Sequence, residues 1–346
     1  MSSSSNGRKK ARIIARRPDS GQAAWQAALL ASARDVDAVF ADLGLDAGLL
    51  PGARAAAESF GCRITPEALG AAAHDPADPV LRQFLPAAAE LEDAAGFVVD
   101  PVGDLAAART PGLLQKYAGR ALLIATAACA VHCRYCFRRH FPYGEQTAAR
   151  DDWQAAVDHV AAAPDLREVV LSGGDPLMLA DPRLAELWER LAAVPHVVRL
   201  RLHTRMPTVV PERVTPALLA LLRRPRFATS VVLHVNHAAE LTPGAVAAAR
   251  ALRGTGVALL NQSVLLRGVN DDAGALGALS EALFAAGVVP YYLHLLDPVA
   301  GAAHFAVDEA TGRTLIARLR EQLPGYLVPR LVRETAGRPA KTALAC

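Results

Sequence analysis

Ala121-Leu-Leu-Ile-Ala-Thr-Ala-Ala-Cys129-Ala-Val-His-Cys133-Arg-Tyr-Cys136 is an apolar run that ends in three thiols spaced C-x3-C-x2-C. The run over 121–127 reads as a buried strand, which puts the thiols at its C-terminal end. Soft thiolates grouped this closely suit zinc or an iron–sulfur cluster. A structural zinc takes four ligands, usually as two separated pairs. The remaining cysteines, Cys62 and Cys346, form no second pair. The loop alone leaves two chemistries open. Three thiolates on a four-iron cube leave one iron free for a ligand; a zinc knuckle would be completed by His132 or His140.

Outward from this loop, strands and helices alternate. Candidate strands cover 168–172, 197–203, 229–235, 257–265 and 288–295, with helical stretches near 151–163, 181–193, 215–223, 239–253, 273–286 and 308–322. Apolar strands alternating with helices predict a parallel sheet with helices outside. Six such units make an incomplete α/β barrel, (β/α)6, with its functional residues at the C-terminal strand ends. The pattern from Trp25 to about Ala94 is helical and is punctuated by Pro51 and Pro66. It predicts a cap of short helices, with 95–120 as a crossing segment. The resulting division is a disordered basic tail (1–18), an N-terminal helical region (19–110), a barrel (111–325) and a C-terminal segment (326–346).

At 346 residues the chain has room for a barrel of this kind plus an appendage. No apolar run approaches the roughly 18 residues of a membrane span. A formal charge of +3 is small for this length and gives no case for nucleic-acid binding, which needs a clustered basic face. The start is Ser-rich, then basic, with no apolar core of a secretory signal. Clustered thiols and no signal point to a reducing, cytoplasmic setting and metal binding rather than disulfides. Cys62 reads as a small core or surface residue and Cys346 as an incidental thiol. Lysine occurs only at Lys9, Lys10, Lys116 and Lys341, whereas arginine is abundant. Lys341 therefore draws notice, because lysine can form a Schiff base and arginine cannot.

Polar groups close successive strands. The second strand ends in Ser172-Gly173-Gly174-Asp175-Pro176, where glycines let backbone approach a ligand. Later strands end in His203-Thr204-Arg205-Met206-Pro207 and His234-Val235-Asn236-His237. The last two carry Asn261-Gln262-Ser263 and Tyr291-Tyr292-Leu293-His294-Leu295-Leu296-Asp297. An extended stretch over 328–334 precedes Lys341 and is placed to cross the open side of the barrel.

Together, C-x3-C-x2-C, SGGDP, HTRMP, NQSVLLRGVN, PYYLHLLD and a late lysine resemble the lysine 2,3-aminomutase family of radical S-adenosylmethionine (SAM) enzymes over residues 100–346. The resemblance implies a [4Fe-4S] cluster on Cys129, Cys133 and Cys136, with SAM on the open iron. It implies that Ser172, Gly173, Gly174 and Asp175 hold the SAM amino group, and it adds Gln262 to the cofactor contacts. Lys341 would carry pyridoxal phosphate (PLP) as a Schiff base. Arg205, Arg120, Tyr117 and Lys116 would hold its phosphate. Arg138 would pair with the substrate carboxylate, and Asp297 with Glu334 would recognise the distant ammonium of lysine.

The implied reaction is an isomerisation. A deoxyadenosyl radical takes a hydrogen from the lysine β-carbon, the amino group moves from C2 to C3, and the hydrogen returns. An external electron donor starts the cycle. Free-standing lysine aminomutases have Asp where this chain has Glu334. They also have a longer Gly-rich stretch where it has Gly337-Arg338-Pro339-Ala340, and more chain after the lysine. This short form resembles the branch that makes (R)-β-lysine for attachment to elongation factor P by a separate ligase. The alternatives are a free-standing lysine 2,3-aminomutase that makes β-lysine as a metabolite, another amino acid such as glutamate, a zinc-binding interaction module, and a radical SAM enzyme without PLP.

Overall fold

Seven parallel strands and the helices between them form the body of the protein. The structure is a computed structural model that describes residues 24–344. The basic tail and Cys346 lie outside the described residues. The strands are β3 (Arg120–Thr126), β4 (Glu168–Gly173), β5 (Arg199–Thr204), β6 (Ala228–Leu233), β7 (Ala258–Leu265), β8 (Val289–Leu295) and β9 (Arg330–Arg333). Antiparallel strands β1 (Ala108–Thr110) and β2 (Leu113–Tyr117) extend one edge, and β10 (Thr342–Ala343) extends the other. Strand order follows the chain from β1 to β10, and the two edges do not pair, so the barrel stays open. The expected six parallel strands are present within one or two residues of their predicted bounds. The 328–334 stretch adds a seventh by pairing with β8.

The N-terminal helices are α1 (Ala24–Leu30), α2 (Val36–Leu43), α3 (Leu50–Ser59) and α4 (Pro66–Ala71). The barrel helices are α5 (Gln154–Ala162), α6 (Asp181–Ala192), α7 (Met206–Val209), α8 (Pro216–Leu222), α9 (Pro243–Arg253), α10 (Ala273–Ala285) and α11 (Glu309–Gln322). Their starts follow from local chemistry. Thr65, Thr215 and Thr242 each cap a helix whose first residue is proline, and Asp272 and Asp308 cap α10 and α11. The side-chain oxygen satisfies an orphan N–H while proline presets the helical φ. No helix among the described residues is long and apolar enough to cross a membrane.

Strand alternation decides what faces inward. In β5, Leu200 and Leu202 are buried beneath the helices, whereas Arg201 and His203 line the interior. In β7, Leu259 and Leu265 pack outward, and Gln262 and Val264 face inward. Side chains alternate with period two, so an apolar outer face leaves a polar inner one. A helix-covered strand bordering a wet cavity thus alternates instead of running apolar throughout. Cys62 is a buried core residue, and burial pushes its thiol up to about 11.

Candidate active site

One cavity of about 490 Å³ runs through the open barrel, and both Cys129 and Lys341 line it. Cys129 follows the C-terminal end of β3, while Arg120 begins that strand, about 20 Å away at 3.3 Å per residue. Lys116, Tyr117 and Arg120 line the same cavity from this N-terminal end. The cavity thus reaches beyond the C-terminal strand ends, where the sequence placed the functional residues, to the N-terminal end of β3. A closed barrel fills its interior with layers of side chains; this open one leaves a passage.

The cysteine loop is anchored by charge. Arg134 is fully buried and grips Glu90 through Nε (2.8 Å) and Nη2 (2.6 Å), and Arg139 Nη2 donates to the same carboxylate at 2.7 Å. Both guanidinium groups lie against the Phe60 ring. These contacts pin the N-terminal helices to the loop. Arg63 Nη1 donates to the Cys129 carbonyl at 2.8 Å. Burial first, then neighbouring thiolate charge, pushes the Cys136 thiol up to about 11 and Cys129 well above its ordinary range. Thiols crowded and buried in this way suit a positively charged metal core. The two histidines of the zinc alternative are engaged elsewhere. His132 stacks on Phe60 with Nδ1 against the Gly61 carbonyl, and His140 Nε2 meets the Ala300 carbonyl. Among the described residues, no three His, Cys, Asp or Glu side chains converge where a single ion would sit. A cube instead spreads its thiolates over separate irons.

Beside the loop lies a cradle of bare backbone. A Cβ at Gly173 would crowd the Thr126 carbonyl, and one at Gly174 would overlap the Ala128 carbonyl. Gly173 also has φ +120°, open to glycine but strained for other residues. Tyr143 Oη donates to the Gly173 carbonyl at 2.7 Å and holds the turn from below. Asp175 accepts from Thr204 Oγ1 (2.8 Å), Arg205 N (2.7 Å) and Leu177 N (2.9 Å). Its carboxylate thus fastens β4 to β5 and shapes the turn.

A chain of charges joins the two ends of the cavity. Lys341 Nζ meets Glu334 Oε2 at 2.6 Å, and Lys116 Nζ meets Glu334 Oε1 at 2.9 Å. Lys116 also meets Asp104 Oδ1 at 2.5 Å, and Asp104 Oδ2 accepts from Arg138 Nε at 2.6 Å. Arg138 Nη1 then reaches Ser172 Oγ at 3.3 Å. The β9–β10 pairing, Thr342 against Arg333, brings Lys341 to this line. Burial raises the Glu334 carboxyl, but the two lysines outweigh it and hold it at about 2. Asp297 goes the other way. Burial and then the Glu334 charge push it up to about 7.

Arg205 stands apart from the other three residues expected around a phosphate. Its guanidinium is taken by Cys133 Sγ (3.0 Å), Gln83 Oε1 (2.6 Å) and Glu240 Oε2 (2.5 Å), at the cluster end. Gln262 lies mid-cavity, with Nε2 3.2 Å from His234 Nε2. Burial holds His203, His234 and His294 neutral, His234 down to about 3.

Comparison with known proteins fits this geometry. Residues 123–274 match the Radical SAM superfamily. The chain is 50% identical over 270 residues to L-lysine 2,3-aminomutase of Escherichia coli, covering 78% of this chain and 79% of that protein. It is 46% identical to the Haemophilus influenzae L-lysine 2,3-aminomutase over 271 residues, covering 78% of this chain and 80% of that protein. With the Buchnera aphidicola L-lysine 2,3-aminomutase the identity is 42% over 268 residues, covering 78% and 79%. The chain belongs to the lysine 2,3-aminomutase family of radical SAM enzymes.

An aminomutase of this family is an isomerase that works with a [4Fe-4S] cluster, SAM and PLP. The buried thiols fit the cluster, the bare-backbone turn beside them fits SAM, and a lysine inside the cavity fits PLP. Sequence reading missed Asp104, which couples Lys116 to Arg138, and Tyr143, which props the glycine turn. Asp104 falls in the segment read only as a crossing. The available signal was an acid upstream of Lys116 in a lysine-poor chain.

Proposed function

We propose that this aminomutase converts L-lysine to β-lysine on PLP held by Lys341. The observation that carries this reading is the sharing of one cavity by Lys341, the Asp297–Glu334 pair and the three cysteines. Bound PLP supplies the carbon that carries the migrating amino group, and the cluster with SAM supplies the radical. The remaining work belongs to the protein's own side chains. Arg138 is fixed by Asp104 through Nε, and its Nη2 has no protein partner among the described residues. That edge suits the substrate carboxylate. Glu334 and Asp297 suit the far ammonium group. In the free protein the Lys341 ammonium occupies Glu334. PLP held by Lys341 would draw that amine off Glu334 and leave the carboxylate open to the substrate ammonium. Two fixed ends present one β-hydrogen to the radical. Lys116, Tyr117 and Arg120 suit the PLP phosphate, with Arg120 stacked 4.4 Å from the Tyr117 ring.

Two carboxylates at the far end disfavour glutamate as substrate. Lys341→Ala tests the reading directly. The expected result is loss of PLP absorbance and of β-lysine, with the cluster retained; unchanged PLP binding would refute the assignment. We also read the product as the R form, destined for elongation factor P. That reading rests on the resemblance carried by Glu334 and Gly337-Arg338-Pro339-Ala340. Chiral chromatography of the product, and loss of β-lysyl groups from elongation factor P on gene deletion, test it. An S product, or modification that persists after deletion, would overturn it.

A further inference from the structure

Arg205 is the only arginine whose guanidinium meets a cluster cysteine among the described side-chain hydrogen bonds. Nη1 donates to Cys133 Sγ at 3.0 Å. Nη1 also donates to Tyr135 Oη at 2.5 Å, while Nε has no partner among the described residues. Nη2 donates to Gln83 Oε1 and Glu240 Oε2, the flat face lies 4.5 Å from the Phe84 ring centroid, and the backbone N–H is fixed by Asp175. Glu240 is held in turn by the backbone N–H groups of Asn236 (2.8 Å) and His237 (2.9 Å). Arg205 and Glu240 are both buried, so bulk water screens them little. The cation faces the thiolate and the anion lies behind it, which makes an oriented ion pair.

We propose that Arg205 is a positioning residue that sets the reduction potential of the cluster, through a charge-assisted hydrogen bond to the Cys133 thiolate backed by Glu240. This rests on the reading that the three cysteines hold a [4Fe-4S] cluster. Reduction adds one electron to the cube, drawn from an external low-potential donor, and leaves it more negative. A donor hydrogen bond and a nearby cation stabilise that state more than the oxidised one. Cluster potentials are set by net charge and by hydrogen bonds to the sulfurs. The Arg205 assignment also explains why this arginine does not join Lys116, Tyr117 and Arg120 at the other end of the cavity.

The test is potentiometric titration of the reconstituted full-length protein, read by EPR without lysine or PLP. Arg205→Gln should lower the equilibrium constant for one-electron reduction about tenfold, which is about 59 mV. Glu240→Gln removes the rear anion and should raise it about threefold, roughly 30 mV by the same constant. A merely structural role would move both variants in the same direction. Shifts of the same sign, or an unchanged Arg205→Gln potential, overturn the proposal. Should Arg205→Gln hold no cluster, unaltered protein grown with 15N-arginine decides. A guanidinium nitrogen coupling to the reduced cluster is expected in hyperfine spectroscopy, and its absence refutes the contact. Because these readouts omit substrate, failure of lysine rearrangement leaves them intact. Absence of any cluster in the unaltered protein overturns both readings.

Discussion

Replacing Glu334 by Gln keeps the shape of the side chain and removes its charge. Held near 2 against an ordinary 4.5, the charged carboxylate is favoured by about 3 kcal/mol net of its burial cost, at 1.36 kcal/mol per pH unit, and its two ammonium partners supply that surplus. Lys341 and Lys116 share that interaction, so one ammonium accounts for roughly half, about 1.5 kcal/mol. The substrate ammonium replaces Lys341 at this carboxylate, so its affinity should fall about tenfold. The assay is steady-state formation of β-lysine with excess SAM, PLP and reductant. KM for lysine should rise about tenfold while kcat changes much less, as expected for loss of binding shared by ground and transition states. The pH profile gives a second, independent reading. Asp297 sits at about 7 partly because Glu334 repels its charge. In Glu334→Gln the acidic rise in KM, which marks protonation of Asp297, should move to lower pH. A KM within twofold of the parent and an unmoved acidic limb would refute the reasoning.

Four other outcomes follow. In the parent enzyme, KM for lysine should rise as pH falls through about 7, because Asp297 takes up a proton and loses its hold on the ammonium; a flat profile from pH 8 to 6 contradicts this. Gly174→Ala should weaken SAM binding about tenfold or more, measured by calorimetry on clustered protein, since its Cβ would overlap the Ala128 carbonyl. Glu90→Ala strands the buried Arg134 and Arg139 and should cost roughly 3–5 kcal/mol in denaturant unfolding. The Glu334 ion pairs should stabilise the C-terminal strands fully above about pH 4.5, where the carboxylate is charged even in the unfolded chain, and lose that contribution as pH falls toward 2. Hydrogen exchange at 330–344 reads that loss.

The parallel core was legible because short strand-like runs alternate with helical stretches, several of them opened by a side-chain cap. Thr215-Pro216 and Thr242-Pro243 mark helix starts as plainly in sequence as in space. The edge strands were not legible. β1 has three residues and β10 two, too short for any period to register. They exist because β2 and β9 offer unpaired edges. The cysteines, Lys341 and the glycine turn were legible as local motifs. Glu90, Asp104 and Glu240 were not, since each meets an arginine 34 to 49 positions away in the chain. Spacing carries no information about such pairs. Arg205 illustrates the limit: its motif was visible, but its direction was decided by Gln83, Glu240 and Phe84 from other parts of the chain.

Product analysis with L-lysine deuterated at C3 tests the union of radical and amino-transfer chemistry in one cavity most directly. Reconstituted protein with SAM, PLP and reductant should yield β-lysine with deuterium transferred to C2, and Lys341→Ala should yield none while retaining its cluster. Deoxyadenosine accumulating with unrearranged lysine, or β-lysine forming equally well without Lys341, would contradict the account.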